Sequence, residues 1–241
     1  METVTWERVV PDALNSNVLF QKNILDQHVE RYKFAARYVE RKRVLDAACG
    51  VGYGSELLFK SGATSVVGID LDPDTVIYAD KRYGEQGITF IVDDLDCVTF
   101  EASSADVVVS FETVEHLDNP RRFLRMVSNA LTDNGLLIAS VPVVPTVDID
   151  EFHKHDFSKR SWRKLVTSSG YAIEDELFQR YRATFKDMKD ELKAENTSSG
   201  ARRNQGRYYL MHPVRAVSRV ARVLIAGGLD LDVLTLVCRK K

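Results

Sequence analysis

Between Asn23 and Glu40 the chain reads NILDQHVERYKFAARYVE, with a helical period. Leu25, Val29, Tyr32, Ala36 and Val39 fall on one face, while Asp26, Glu30, Lys33, Arg37 and Glu40 lie away from it. The spacing predicts an amphipathic helix, closed electrostatically by Arg41, Lys42 and Arg43. From residue 43 the pattern changes. Short apolar runs alternate with helical stretches: RVLDAA, then SELLFKSG ending at Gly62; TSVVGID, then PDTVIYADKRYG between Pro73 and Gly84. ITFIVDDL and ADVVVSFE follow as third and fourth strands, NPRRFLRMVSNALTDNG as a helix and LLIASVPV as a fifth strand. Strands alternating with helices predict an α/β domain, a parallel sheet with helices on both faces and right-handed crossovers.

After Pro145 the rhythm is lost. TVDIDEFHKHDFS is polar and reads as a loop, KRSWRKLVTSSG as a short helix, and YAIEDELFQRY and LDVLTLVCRKK as strands. Nearly fifty residues separate those two strands. They hold a charged helix from Thr184 to Glu195, the stretch NTSSGARRNQG and a helix between Pro213 and Ala226. An insertion of that length is usually functional or disordered. The expected organisation is one domain: a helical cap over 1–42, a core over 43–181 and 229–241, and a substrate-covering insertion over 182–228.

Composition adds limits. Of 241 residues 44% are apolar and 28% charged, as in ordinary globular proteins, and no apolar run approaches the roughly 20 residues a membrane helix needs. The start, METVTWERVVPD, shows no basic segment followed by an apolar one, so no secretory leader is expected. Cys49, Cys97 and Cys238 are far apart with no metal spacing, which suits a reducing cytoplasm. The net charge of −2 is uneven, because residues 180–241 carry 14 Lys/Arg against 6 Asp/Glu. Such an excess is either a solvated basic face or a surface for an anionic partner.

The chemistry concentrates at VLDAACGVGYGS, Val44 to Ser55. A strand running into Gly50, Gly52 and Gly54 and then a helix presents backbone N–H groups and a helix N-terminus to a ligand. Dinucleotide enzymes use a similar turn, so the motif alone is ambiguous. Asp70 ends the second strand, 20 residues after Gly50, where a carboxylate can accept from both hydroxyls of a ribose. Asp94 ends the third, where it can accept from a purine amino group. Each aspartate could equally be a cap or turn residue.

Taken together, VLDAACGVGYGS, VVGIDLDPDTVIYAD, ITFIVDDLD and ADVVVSFETVEHLDNP resemble the successive motifs of class I S-adenosylmethionine-dependent methyltransferases, in order and spacing. Asp46 before the glycines fits that family rather than the dinucleotide pattern. The resemblance implies a Rossmann-like, doubly wound seven-stranded sheet, five parallel strands plus a C-terminal antiparallel pair. It implies S-adenosylmethionine as cofactor: Asp46, Cys49, Gly50 and Gly52 along its methionine part, Asp70 on the ribose, and Leu71 against the adenine. Asp94 and Leu95 would take the adenine edge, with Ser110, Phe111 and Glu112 beneath the sulfonium. ERVVP and RYKFAARYV also resemble a subset found in sugar and glycan modification, whose N-terminal helix lids the cofactor. Tyr32 would then contact the cofactor, or it is simply core.

Methyl transfer to a hydroxyl needs a nearby base. His116 follows the fourth strand, and His153 and His155 lie in the loop after the fifth; each is either a base or a residue that orients its loop. Asp148, Asp150, Glu151, His153, His155 and Asp156 crowd together, yet their spacing matches no metal motif, and no metal is assigned. In the insertion, Arg202, Arg203, Arg207, Tyr208 and Tyr209 suit a phosphate-bearing, ring-containing acceptor such as a nucleotide-linked sugar. Basic and aromatic residues do not interleave over a long surface, so nucleic acid is not expected. Arg215, Arg219 and Arg222 lie opposite Val217, Val220 and Leu224, on a helix that either docks on the domain or rests on an anionic membrane. The expected partner is a small polar acceptor, in the cytoplasm. A module that binds the cofactor without turnover is the alternative of a different class.

Overall fold

The computed structural model describes residues 19–146, 152–184 and 228–241. In chain order the elements are α1 (Leu19–Ala36), β1 (Arg43–Ala47), α2 (Tyr53–Lys60), β2 (Ser65–Asp70), α3 (Pro73–Tyr83) and β3 (Ile88–Val92). They continue with β4 (Ala105–Phe111), α4 (Pro120–Ala130), β5 (Leu131–Pro142), α5 (Lys159–Ser168), β6 (Tyr171–Thr184) and β7 (Gly228–Lys240). One sheet holds seven strands in the order β3-β2-β1-β4-β5-β7-β6. The first five are parallel, and β7 runs antiparallel to both β5 and β6.

Strand apolarity follows from burial on two sides. In β1, Val44 joins the cluster under α1, α2 and α3, while Leu45 and Ala47 face the cluster under α4 and α5. β4 divides likewise: Val107 and Val109 on the first side, Ala105 and Val108 on the second. Leu58, Val76 and Ala79 close the first core; Phe123, Leu124, Val127, Trp162 and Val166 close the second. Helix starts carry the side chains that satisfy their unpaired N–H groups. Asp72 Oδ1 accepts from Asp74 N–H at 2.9 Å, Asn119 Oδ1 from Arg122 N–H at 3.0 Å, and Ser158 forms a capping box with Ser161.

Three local expectations are corrected. α1 ends at Ala36 rather than near Glu40, because Tyr38 and Val39 turn back into packing and Tyr38 Oη donates to Asp175 at 2.6 Å. The basic triplet therefore leaves the helix, and Arg43 opens β1 and pairs with Asp106 at 3.2 Å. Second, Thr132 to Asn134 belong to β5 rather than to the end of α4, in a bulge where pairing skips from Ala105–Leu131 to Val107–Leu136. Third, β6 and β7 extend to Thr184 and Gly228, so the ends of the expected 182–228 insertion are strand. Its Arg202, Arg203, Arg207, Tyr208 and Tyr209, and the helices expected from Thr184 and near Pro213, lie outside the described residues.

α1 is fastened across the sheet end to β6. Arg31, 2% exposed, donates from Nη1 to Gln179 Oε1 at 2.9 Å. The Gln179 amide donates in turn to the Gln27 carbonyl at 3.2 Å and to Glu30 Oε2 at 2.6 Å. These contacts set the rotation of α1 and so the direction of Tyr32.

Candidate functional site

The carboxyl ends of β1, β2, β3 and β4 meet in one region, the edge at which open α/β sheets bind ligands. After β1 the chain turns through Ala48 at φ 64° and Gly50 at φ 55°, and enters α2 from Gly52 at φ 87°. The glycines of this turn answer three different demands. A methyl group on Gly50 would meet nothing within 4 Å, so its backbone faces open space. One on Gly52 would press into Phe90 and Ala79 at 2.8 Å, so Gly52 lets α2 approach β3 and α3. One on Gly54 would run into the Tyr32 ring. Only the first leaves room for a ligand; the other two serve packing that shapes the crevice.

Asp46 lies beneath this turn with none of its surface exposed. It accepts from Ser55 Oγ at 2.7 Å and from Tyr32 Oη at 3.2 and 3.3 Å. Burial pushes its carboxyl up to about 7, against the pull of those two donors. Tyr32 is 5% exposed and edge-on to Phe111 at 5.0 Å between ring centres, so it is at once core and part of the crevice wall. Burial and the neighbouring Asp46 hold its phenol well above the usual range. Cys49 is buried below Gly68, and burial pushes its thiol up, which leaves its backbone as the part facing the turn.

Asp70 spans the gap between strands. Its Oδ2 accepts from Gly50 N–H at 2.9 Å and its Oδ1 from Asp72 N–H at 3.1 Å. The next residue, Leu71, is 67% exposed, an apolar side chain presented at the crevice rim. Asp94 builds a turn: Oδ1 accepts from Asp96 N–H at 2.8 Å and its carbonyl from Cys97 and Val98 N–H. Leu95, 7% exposed, packs in the core with Ile69 and Val98, so its side chain does not flank the crevice as Leu71 does. Ser110 is fully buried and its Oγ has no partner among the described residues. Glu112, at φ 51°, turns back, donating from N–H to Ser140 and accepting from Ser140 Oγ at 2.8 Å.

The histidines converge. His116 and His153 stand edge to face with ring centres 4.5 Å apart. Glu115, fully buried, offers a carboxylate oxygen within 4.8 Å of a ring nitrogen of each. His155 is placed differently: its Nε2 donates to the Leu117 carbonyl at 2.9 Å, pinning one loop to the other. The Glu115 carbonyl accepts from Lys154 and His155 N–H at 2.8 and 3.1 Å. Lys154 Nζ lies 2.7 Å from Asp118, whose N–H bonds Asp96 at 3.0 and 3.1 Å. The loops after β3, β4 and β5 are thereby joined. Of the acidic loop residues, Asp148, Asp150 and Glu151 lie outside the described residues, while Asp156 caps Thr146 N–H at 2.7 Å. Nothing local in the sequence marks Glu115 or Arg31 as part of the site. Glu115 stands between the candidates Glu112 and His116, and Arg31 interrupts the apolar face of α1 without signalling burial.

The residues fit an adenosyl amino acid. The open approach to Gly50, a β2-end carboxylate held by the turn, an exposed apolar rim residue and a buried acid match a nucleoside with a cationic tail. Residues 45–139 match the model of a methyltransferase domain family. A Mycobacterium tuberculosis protein, named a probable S-adenosylmethionine-dependent methyltransferase, is 30% identical over 175 residues, covering 70% of this chain and 61% of its own. The chain thus spans about three-fifths of the length of that relative. A ubiquinone biosynthesis O-methyltransferase of Azorhizobium caulinodans is 32% identical over 125 residues, covering 50% of this chain and 48% of its own. A solved Bacillus halodurans structure assigned as a methyltransferase superposes with a TM-score of 0.68 at 19% identity, covering 89% of this chain and 99% of that one. The [4+2]-cyclase SpnF superposes with a TM-score of 0.65 at 16% identity, over 90% and 82%.

Sheet order and site together define the class I methyltransferase architecture. The chain carries an S-adenosylmethionine-dependent methyltransferase domain of that class, and S-adenosylmethionine is its cofactor.

Proposed function

We propose that the protein transfers a methyl group from S-adenosylmethionine to a hydroxyl of a small polar acceptor, a sugar or nucleotide-linked sugar being the class its sequence suits best. The observation that carries the transfer reading is the join between Gly50 N–H and Asp70 Oδ2, which sets turn and ribose-binding acid together. Bound there, the cofactor supplies a methyl already activated on a positively charged sulfur. Asp70 would hold the ribose hydroxyls, Leu71 the adenine face, and Gly50 the amino-acid portion by its backbone. Asp46 and Tyr32 would form the floor, and Phe111 would keep water from the reacting carbon. The protein's task is alignment, worth about 7–11 kcal/mol when complete. Loss of the acceptor's proton would be assisted at the cluster of His116, after β4, and His153, after β5.

The hydroxyl acceptor draws support from the Azorhizobium relative, which is named an O-methyltransferase. The sugar class rests on the N-terminal motif and on the basic, tyrosine-containing stretch 202–209. Action on a lipid-linked glycan at a membrane surface is the variant suggested by the basic sequence Pro213 to Ala226. Among the described residues no helix is long and apolar enough to cross a membrane. A cytoplasmic site of action belongs to the same proposal. The likeness to a cyclase favours a second reading, a module of this fold without methyl transfer.

Incubation with methyl-labelled S-adenosylmethionine and a panel of sugar nucleotides, free sugars and phenols, read by mass spectrometry, tests the proposal. A methylated sugar is the expected product. Label only on phenols removes the sugar class, and cofactor binding without label on any acceptor favours the module. Salt-sensitive sedimentation with anionic liposomes would point to the membrane variant.

A further inference from the structure

Glu115, His116 and His153 bring one carboxylate oxygen and two imidazole nitrogens within 4.8 Å of one another. We propose that they bind a divalent transition-metal ion of the Mn²⁺ or Zn²⁺ type. Imidazole selects such ions over Mg²⁺ and Ca²⁺, and two histidines with one carboxylate form a three-point face that leaves positions open. Donors sharing an ion at about 2.1 Å stand roughly 3–4 Å apart, so closure by about 1 Å completes the set.

The surroundings favour a cation. Glu115 is fully buried, and its carboxylate lies within 4.8 Å of a ring nitrogen of each histidine, so its negative charge is kept out of water beside the two imidazoles. His116 Nδ1 lies 3.3 Å from the Phe152 carbonyl. A carbonyl only accepts, so Nδ1 carries a proton, and Nε2 is the nitrogen that would meet a metal. This is the outer hydrogen bond that orients ligating histidines. The two backbone bonds to the Glu115 carbonyl and the His155–Leu117 bond hold the loops that carry the donors.

The site follows directly after Phe111 and Glu112 at the end of β4. An ion there would take acceptor oxygens in its open positions and lower the pKa of a bound hydroxyl. His116 and His153 would then act on the acceptor through the ion rather than by taking its proton themselves. That role rests on the methyl-transfer reading; the binding itself does not.

Metal-free protein is titrated by calorimetry with Mn²⁺ and separately with Zn²⁺, and in parallel with S-adenosylhomocysteine. One equivalent of at least one ion is expected. Binding should be at least tenfold weaker in both His116→Ala and His153→Ala, with S-adenosylhomocysteine affinity within twofold of the unaltered protein. Pulsed electron paramagnetic resonance of whichever complex is paramagnetic, with Co²⁺ substituted if only Zn²⁺ binds, should show imidazole nitrogen couplings. That reading needs no variant and decides the matter if a substitution unfolds a loop. Binding of neither ion, metal affinity unchanged in both variants, or a spectrum without nitrogen couplings overturns the site. Metal binding without S-adenosylhomocysteine binding upholds the site and removes the methyl-transfer reading.

Discussion

Asp70 Oδ2 accepts from the Gly50 backbone N–H at 2.9 Å, so the acid at the tip of β2 and the turn after β1 form one unit. The bond fixes the carboxylate where a ribose would lie and leaves the turn in its ligand-ready shape. Asp70→Ala removes both the ribose partner and the anchor of the turn. S-adenosylhomocysteine affinity, measured by calorimetry, should fall at least tenfold, about 1.4 kcal/mol or more. Unchanged affinity would refute the ribose assignment.

Gly50 and Gly54 should respond to the same change in different ways. At Gly50 an added methyl group has space, and the cost to folding is the left-handed backbone at φ 55°, about 1–2 kcal/mol. It would also occupy the ligand's approach, so Gly50→Ala should bind S-adenosylhomocysteine far more weakly than its melting temperature suggests. Gly54→Ala forces the buried Tyr32 ring aside, an overpacking cost of about 1–3 kcal/mol. Urea denaturation with calorimetry separates them. Equal ratios of affinity loss to stability loss in the two variants would show that Gly50 has no special place at the ligand.

Asp46 should make stability depend on pH. Its folded carboxyl titrates near 7, above the ordinary 3.8, because burial disfavours the charge. The folded state therefore holds its proton where the unfolded state has released it. The contribution to stability is full below about pH 4 and is lost as pH rises through about 7. Asp46→Asn keeps an acceptor for Ser55 and Tyr32 but cannot ionise. The melting temperature of the unaltered protein should fall relative to Asp46→Asn between pH 5 and pH 8. A constant difference across that range would contradict the assignment.

Leu71 and Leu95 look alike in the sequence, each just after an aspartate expected to end a strand; Asp70 does end β2, while β3 stops at Val92 and Asp94 lies in the turn beyond it. Leu71→Ala, at 67% exposure, should change stability by less than about 0.5 kcal/mol yet weaken S-adenosylhomocysteine binding. Leu95→Ala, at 7%, should cost about 2–5 kcal/mol of stability. Denaturation and calorimetry on both variants check the pair. Normal cofactor affinity in Leu71→Ala would remove Leu71 from the adenine face.

The strands were readable because parallel, twice-covered strands are apolar throughout, as in TSVVGID and ADVVVSFE. The acid-glycine turn and Asp70 were readable because the backbone there needs particular residues. What the sequence hid depends on distant partners. Nothing local shows that Gly52 makes room for Phe90 and Gly54 for Tyr32, or that Leu95 turns inward while Leu71 does not. His155 and His153, two residues apart, go to a backbone carbonyl and to His116 respectively, which only the pairing of two loops decides. The end of α1 is not legible in the sequence, because Tyr38 and Val39 continue a helical pattern that Asp175, far along the chain, redirects.

The Arg31–Gln179 clasp has an implication for biosynthesis. Tyr32 leaves the ribosome early, but the strand that orients its helix is made nearly 150 residues later. The strand that inserts between β5 and β6 comes later still. A nascent chain halted before Gly228 would bear the glycine turn and Asp70 but lack the wedge that completes the sheet. Competence to grip a nucleoside should thus emerge late during translation, as a property of the closed sheet and not of its first half.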